Sequence, residues 1–321
     1  MKLCYMPFTS LQLFDTKACT CCPAYIDKSY VRPTGSSGLW RVWNDDKIQE
    51  LRTKILNGDY SACQNCPRFY KNKIADRCRP LEWKASMDIG PSTIMMCIDN
   101  SCNLKCPSCR KGMIVANGDQ VAKRVQYMMG FMPQCISNLK LLDIAGDGEP
   151  FFSKVYTYLF DWLESRIDKY PRLKLRIRTN GLLLPQKWGR WPRTMARVRH
   201  LNLSLDGSTK KTYEAMRLGG SFERILKCLD FVKALRKSSN IKDLVAIFVV
   251  QAGNYHEMGD FVDFTKKYNV DRINFLRLNK IGQSDDGWAL RRISDPNHPE
   301  NDKYLKMLKD PRLQDRIVEL Q

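Results

Sequence analysis

Cys102-Asn103-Leu104-Lys105-Cys106-Pro107-Ser108-Cys109 follows closely on the apolar run Ile94–Ile98. A short apolar run bounded by turn residues reads as a strand, so the cysteines sit on the loop at its C-terminal end. Barrels and open α/β sheets place their active sites at that end. Three thiolates at this spacing can hold three irons of a cubane cluster and leave the fourth iron open. A structural zinc knob would use the same residues. Outward from the loop, Leu139–Ala145, Leu173–Thr179, Leu201–Asp206, Leu244–Val250 and Arg272–Leu278 also read as strands. Helical patterns lie between them, clearest at Val155–Tyr170, Phe222–Lys237 and His256–Tyr268. Strands alternating with helices mean parallel βαβ units. Six of them fit a partial (β/α)6 barrel of the TIM type or an open doubly wound sheet.

Parity helps choose the barrel, the alternative being edge strands that face solvent. Side chains alternate along a strand, so Leu173, Leu175 and Ile177 share one face while Lys174, Arg176 and Arg178 share the other. Leu201, Leu203 and Leu205 likewise oppose Asn202, Ser204 and Asp206. A buried parallel sheet should be apolar on both faces. Two neighbouring strands that break this rule in the same way predict a wet, ligand-holding lumen. Cations there suit a substrate with carboxylate or phosphate, which makes Arg176, Arg178 and Asp206 candidate substrate contacts.

The chain has 321 residues, enough for two domains, and 43% of them are hydrophobic, which excludes wholesale disorder. Lys and Arg number 53 against 34 acidic residues, and the resulting +19 favours an anionic partner. No run of about 18 uncharged apolar residues occurs, so no bilayer-spanning helix is expected. The start, Met1–Phe8, is too short in its apolar part for a secretory signal, so a reducing, cytoplasmic setting is expected. Thirteen cysteines with only three histidines then read as metal ligands, of iron–sulfur more than zinc type.

The cysteine loop resembles the cluster-binding loop of the radical S-adenosylmethionine (SAM) superfamily, and further matches follow in that family's order. Ala145-Gly146-Asp147-Gly148-Glu149-Pro150 resembles the glycine–glutamate motif that contacts the SAM amino group. Thr179-Asn180-Gly181 closes the third strand, and Ser204-Leu205-Asp206-Gly207 closes the fourth, followed by Tyr213 and Arg217. The likeness runs over residues 92–280; Ser108 departs from it, where many members carry an aromatic residue. It implies a [4Fe–4S] cluster on Cys102, Cys106 and Cys109, with SAM held by Gly146, Gly148, Glu149, Asn180, Ser204 and Arg217. It further implies reductive cleavage of SAM to a 5′-deoxyadenosyl radical, hydrogen abstraction from substrate, and a reducing partner such as flavodoxin or ferredoxin.

Residues 1–85 form the expected first domain, 86–282 the barrel, and 283–321 a C-terminal loop and helix. Cys4, Cys21-Cys22-Pro23, Trp43, Leu51-Arg52, Asn57-Gly58 and Cys63-Gln64-Asn65-Cys66 resemble a SPASM/Twitch-type auxiliary iron–sulfur domain, which in relatives usually follows the barrel. This implies a second [4Fe–4S] cluster on Cys4, Cys21, Cys63 and Cys66, with Cys19, Cys22 and Cys78 as further candidates. A zinc ribbon is the alternative use of these thiolates. The expected function is a radical SAM oxidoreductase acting on an anionic peptide or small metabolite. The rival is a nucleic-acid-binding or RNA-modifying iron–sulfur protein. It rests on the run Arg172–Arg199, which has nine basic residues, no acidic one, and Trp188 and Trp191.

Overall fold

The structure, a computed structural model, describes residues 4–15, 17–23, 26–34, 38–63, 66, 84–144, 148–280 and 285–320. Its strands are β1 (Ser10–Phe14), β2 (Lys17–Cys19), β3 (Arg32–Pro33), β4 (Thr93–Cys97), β5 (Leu141–Ile144), β6 (Lys174–Thr179), β7 (Val198–Ser204), β8 (Asp243–Val250), β9 (Arg272–Arg277) and β10 (Val318–Leu320). They belong to one sheet in the order β10-β9-β8-β7-β6-β5-β4-β1-β2-β3. The pairs β1–β4, β4–β5, β7–β8, β8–β9 and β9–β10 are parallel, whereas β1–β2 and β2–β3 are antiparallel. The six expected strands are β4 to β9. The main helices are α1 (Asp46–Leu56), α2 (Gly118–Cys135), α3 (Lys154–Glu164), α4 (Lys210–Met216), α5 (Phe222–Leu235) and α6 (Met258–Lys266). This is the strand–helix order of a partial (β/α)6 barrel, lengthened at both ends.

Helix starts follow local chemistry. The side chains of Asn117, Ser153, Thr209 and Ser221 accept the first free N–H groups of α2, α3, α4 and α5, and at α2 Gln120 reaches back to complete a capping box.

The chain parts into two compact units. The first comprises Met1–Asp99, Asn117–Gly146 and Arg166–Leu175. Within it β1 lies in parallel register on β4, Leu11 opposite Ile94, so the Cys-rich N-terminal segment adds strands to the same sheet. Phe8, Ile26, Tyr30, Leu51, Ile55 and Ala62 make a small core there, with Cys4, Cys21 and Cys63 packed against it. Arg52 is fully buried; its Nε donates to Pro7 O at 2.9 Å, its Nη1 to Ala85 O at 3.0 Å, and its guanidinium lies 4.2 Å from the Trp43 ring centre. Arg124 of α2 pairs with buried Asp99 at 2.8 Å and with Asp15 at 3.1 Å, tying the helix to the segments that follow β4 and β1.

The second unit comprises Asn100–Ala116, Asp147–Ser165 and Arg176–Gln321. Its strand register decides which face is which. Phe248 packs on Phe261 of α6, with ring centres 4.8 Å apart, and on Phe275, so these side chains face the helices. The opposite face carries Ser204, Ile247 and Asn274 in one register row and Asn202 and Val245 in the next. That inner face is partly polar, as parity predicts for β7. The Oδ1 atoms of Asn202 and Asn274 are shielded from solvent without a hydrogen-bond partner. At the N-terminal end of the same strands, Asp243 binds Arg272 at 2.5 Å and His200 at 3.0 Å. The expected loop and helix after residue 282 gains a strand: β10 pairs with β9, Val318 opposite Ile273. Three residues are too few to show a strand period, so the pattern alone did not reveal it.

Candidate active site

All three loop cysteines lie in the second unit. The loop is pinned by backbone bonds from Cys102 N to Ile114 O at 2.9 Å and from Lys105 N to Leu218 O at 3.0 Å. A tight turn follows, in which Cys109 N and Arg110 N both donate to Cys106 O, at 2.9 and 3.0 Å. Cys102 and Cys106 are buried and Cys109 is half-buried. Burial pushes the Cys102 thiol up to about 11 and also raises Cys106.

Each sulfur nevertheless meets N–H donors. Leu104 N donates to Cys102 Sγ at 3.4 Å and Asn180 Nδ2 approaches it at 3.9 Å. Arg217 Nη1 reaches Cys106 Sγ at 3.8 Å, and Arg110 Nη2 donates to Cys109 Sγ at 3.3 Å. Donors on sulfur favour the thiolate, the form that binds metal. The donor set thus fits an anionic iron–sulfur cluster. Among the described residues, no three His, Cys, Asp or Glu side chains converge to hold a metal ion.

Glu149 is buried against the same loop, its N–H bonded to Ser101 O at 2.8 Å. Its carboxylate accepts from the Thr179 hydroxyl at 2.6 Å, from Asn180 N at 2.6 Å and from Phe151 N at 3.1 Å. Burial raises its carboxyl above the ordinary range, against the pull of these donors. Asn180 donates from Nδ2 to Asn103 Oδ1 at 2.9 Å and accepts from Leu182 N at 3.1 Å. Glu149 and Asn180 therefore link the end of β6 to the cysteine loop. Gly148 and Ser204 are half-buried. Gly146 lies outside the described residues.

Arg217 is bound to buried Asp206, Nη2 to Oδ2 at 2.8 Å. Burial works against the Arg217 cation, but Asp206 and Cys106 outweigh it and raise its pKa. Arg176 and Arg178 are half-buried and alternate with the fully buried Leu175 and Ile177. Arg178 Nε is shielded from solvent without a hydrogen-bond partner.

The N-terminal cysteines gather in the first unit. Burial raises the Cys21 thiol, and the neighbouring Cys4, Cys63 and Cys19 thiols add to the effect. Burial takes Cys63 up to about 11, with Cys4 and Cys66 contributing. Cys4, Cys21 and Cys63 pack against the same small core, and Cys66 N donates to Cys63 O at 2.9 Å. Cys19 is fully buried and donates its S–H to Cys21 O at 2.6 Å. Cys22 is half-buried, and Cys78 lies outside the described residues.

The basic run keeps its two tryptophans inside the fold. Trp188 and Trp191 are buried, and Trp191 Nε1 donates to Asp161 at 2.6 Å. Arg190 pairs with Asp161 at 3.1 Å, and Arg193 Nε donates to Glu164 O at 3.0 Å. The acidic partners come from α3, outside the run, so the segment's composition concealed them. Sequence reasoning also passed over Arg110, although its place directly after Cys109 is a signal, and Arg124.

No family model matches the chain. A curated relative, molybdenum cofactor biosynthesis protein 1 of Dictyostelium discoideum, is 31% identical over 180 residues, covering 54% of this chain and 26% of that one. The chain thus spans about a quarter of that relative's length. Among solved structures, Streptococcus suis SuiB bound to S-adenosylmethionine is similar with a TM-score of 0.47 and 16% identity, over 86% of this chain and 55% of that one. Native anSMEcpe with bound AdoMet and Cp18Cys peptide is similar with a TM-score of 0.43 and 16% identity, over 59% of this chain and 51% of that one.

Proposed function

We propose that the chain is a radical SAM enzyme that binds a [4Fe–4S] cluster on Cys102, Cys106 and Cys109 and acts on an anionic peptide or small metabolite. The likeness read from its motifs supports this reading, and the curated relative, a molybdenum cofactor biosynthesis protein, matches the chain over 180 residues. The observation that carries the reading is the loop itself: three cysteines at cluster spacing, each sulfur met by an N–H donor. Buried thiols that merely fill a core need no such donors. When bound, the cluster supplies the electron that cleaves SAM and so releases the radical that abstracts a substrate hydrogen.

The chain's own residues do the rest. Cys102, Cys106 and Cys109 would hold the cluster, which would bind SAM through its amino and carboxylate groups. Glu149, with Asn180, holds the β6 end on the loop and presents a carboxylate to the SAM ammonium. Gly146, Gly148, Ser204 and Arg217 complete the proposed SAM contacts. Arg176 and Arg178 orient an acidic substrate, with Asp206 beside Arg217 setting the local charge. Cys4, Cys21, Cys63 and Cys66 would hold an auxiliary [4Fe–4S] cluster, which would serve substrate oxidation or anchoring; the packing of Cys4, Cys21 and Cys63 on one small core supports this. The electron comes from a low-potential donor of the flavodoxin or ferredoxin kind.

Anaerobic reconstitution followed by SAM and dithionite tests the reading. The wild type should form 5′-deoxyadenosine. The triple variant Cys102→Ala/Cys106→Ala/Cys109→Ala should lose about four irons and all cleavage. Cleavage that survives in the triple variant sinks the assignment.

A further inference from the structure

Cluster ligation needs the three sulfurs and does not need the buried ion pair beside them. Asp206 is 1% exposed and has φ +63°, in the left-handed region that side chains other than glycine seldom adopt. Several contacts hold it there. Val249 N donates to Asp206 Oδ1 at 2.7 Å, and Asn254 Nδ2 donates to Asp206 O at 3.1 Å. Gly207 follows, where a Cβ would lie 2.7 Å from Tyr213 N. The remaining carboxylate oxygen, Oδ2, faces Arg217 Nη2 at 2.8 Å. Arg217 Nη1 is thereby brought to 3.8 Å from Cys106 Sγ. Backbone held in a sparsely populated conformation marks a position that its surroundings over-determine. Here the over-determined element is the aim of one guanidinium at one sulfur.

We propose that Arg217, aimed by Asp206, is a positioning residue that raises the reduction potential of the cluster on the cysteine loop. The inference rests on the reading of that loop as a cluster site. Adding one electron from a low-potential donor increases the negative charge on the cluster and its thiolate sulfurs. A buried cation against one of those sulfurs, with an N–H directed at it, stabilises the reduced form more than the oxidised form. Charges interact strongly where water is excluded, and hydrogen bonds to sulfur are among the protein's means of setting such potentials. Asp206 holds the guanidinium in place, as a second-layer carboxylate orients a metal ligand. Of the three nitrogens of Arg217, Nη2 is engaged by Asp206 and Nη1 by Cys106, while Nε has no hydrogen-bond partner. A role in holding SAM would therefore fall to Nε.

An EPR-monitored redox titration of the reconstituted full chain, without SAM, tests this. The signal followed is the one absent from the triple cysteine variant. Arg217→Gln should move its midpoint to a more negative potential, and Arg217→Lys, which keeps the charge, should move it less. Loss of Arg217 alone strands a buried carboxylate, so Asp206→Asn/Arg217→Gln provides a neutral pair with less risk to folding; it too should shift the midpoint negatively. Arg193→Gln, which removes an arginine held on Glu164, controls for net charge and should not shift it. A midpoint equal to wild type in the double variant, with loop iron retained, overturns the proposal; a change confined to SAM affinity or thermal stability does the same. If the triple cysteine variant keeps the wild-type iron and signal, the loop reading itself fails and this inference falls with it.

Discussion

Glu257 shows how one side chain can join two loops. Its Oε2 accepts from Ser208 N at 2.7 Å and from the Ser208 hydroxyl at 2.9 Å, and its Oε1 accepts from the Thr209 hydroxyl at 2.6 Å. Burial pushes its carboxyl up, yet these donors prevail and hold it below the ordinary 4.5. Asp243 behaves alike: Arg272 and His200 overcome its burial and keep it below 3.8. With a depressed folded-state value, the unfolded chain takes up the proton first as pH falls. The stability these groups contribute is therefore complete above their unfolded values and is lost as pH drops through the folded ones. Melting temperature followed from neutral pH into that acid range should fall in the wild type, and it should fall less steeply in Glu257→Gln, which starts lower. Arg178→Ala belongs with these single-group effects. It should weaken productive substrate binding by about 1.5–3 kcal/mol per lost charge-assisted bond, while iron content and substrate-free SAM cleavage persist. Activity near wild type would instead count against an anionic substrate.

Turns and caps carry the next level of organisation. Gly181 ends β6 with φ +82°, and a Cβ there would sit 2.7 Å from Ile225 Cδ1 and 3.0 Å from Cys228 Sγ. Gly181→Ala should therefore cost the left-handed penalty of about 1–2 kcal/mol plus the clash. Because neighbouring Asn180 ties Glu149 to the cysteine loop, iron retention should fall along with melting temperature. Gly112→Ala is the contrast, since a Cβ there meets nothing within 4 Å and neither quantity should move. The caps at Asn117, Ser153, Thr209 and Ser221 were open to reading from order alone, because a cap acts within three residues of itself. β1 and β10 were not, because a short strand is defined by the neighbour it pairs with.

For the chain as an assembly of two cysteine groups, iron content is the informative number. Full reconstitution should give about eight irons, and Cys63→Ala/Cys66→Ala should retain about four. Substrate-free SAM cleavage should survive in that variant while turnover of substrate is lost. Equal loss of cleavage in this variant and in the loop variant would show that the two groups do not act separately.

The cysteine loop, the six central strands and the polar face of β7 were all legible in the order of residues. Ligand spacing and strand alternation are properties of neighbours in sequence, and they survive whatever the rest of the chain does. The pairing of Arg217 with Asp206 and Cys106 was not legible, since it brings together side chains as many as 111 positions apart. The same holds for the acidic partners of Arg190 and Arg193, which come from α3 and not from the basic run itself. Contacts of this kind depend on where separate elements come to rest, and no local pattern encodes that; only the folded chain supplies the partner.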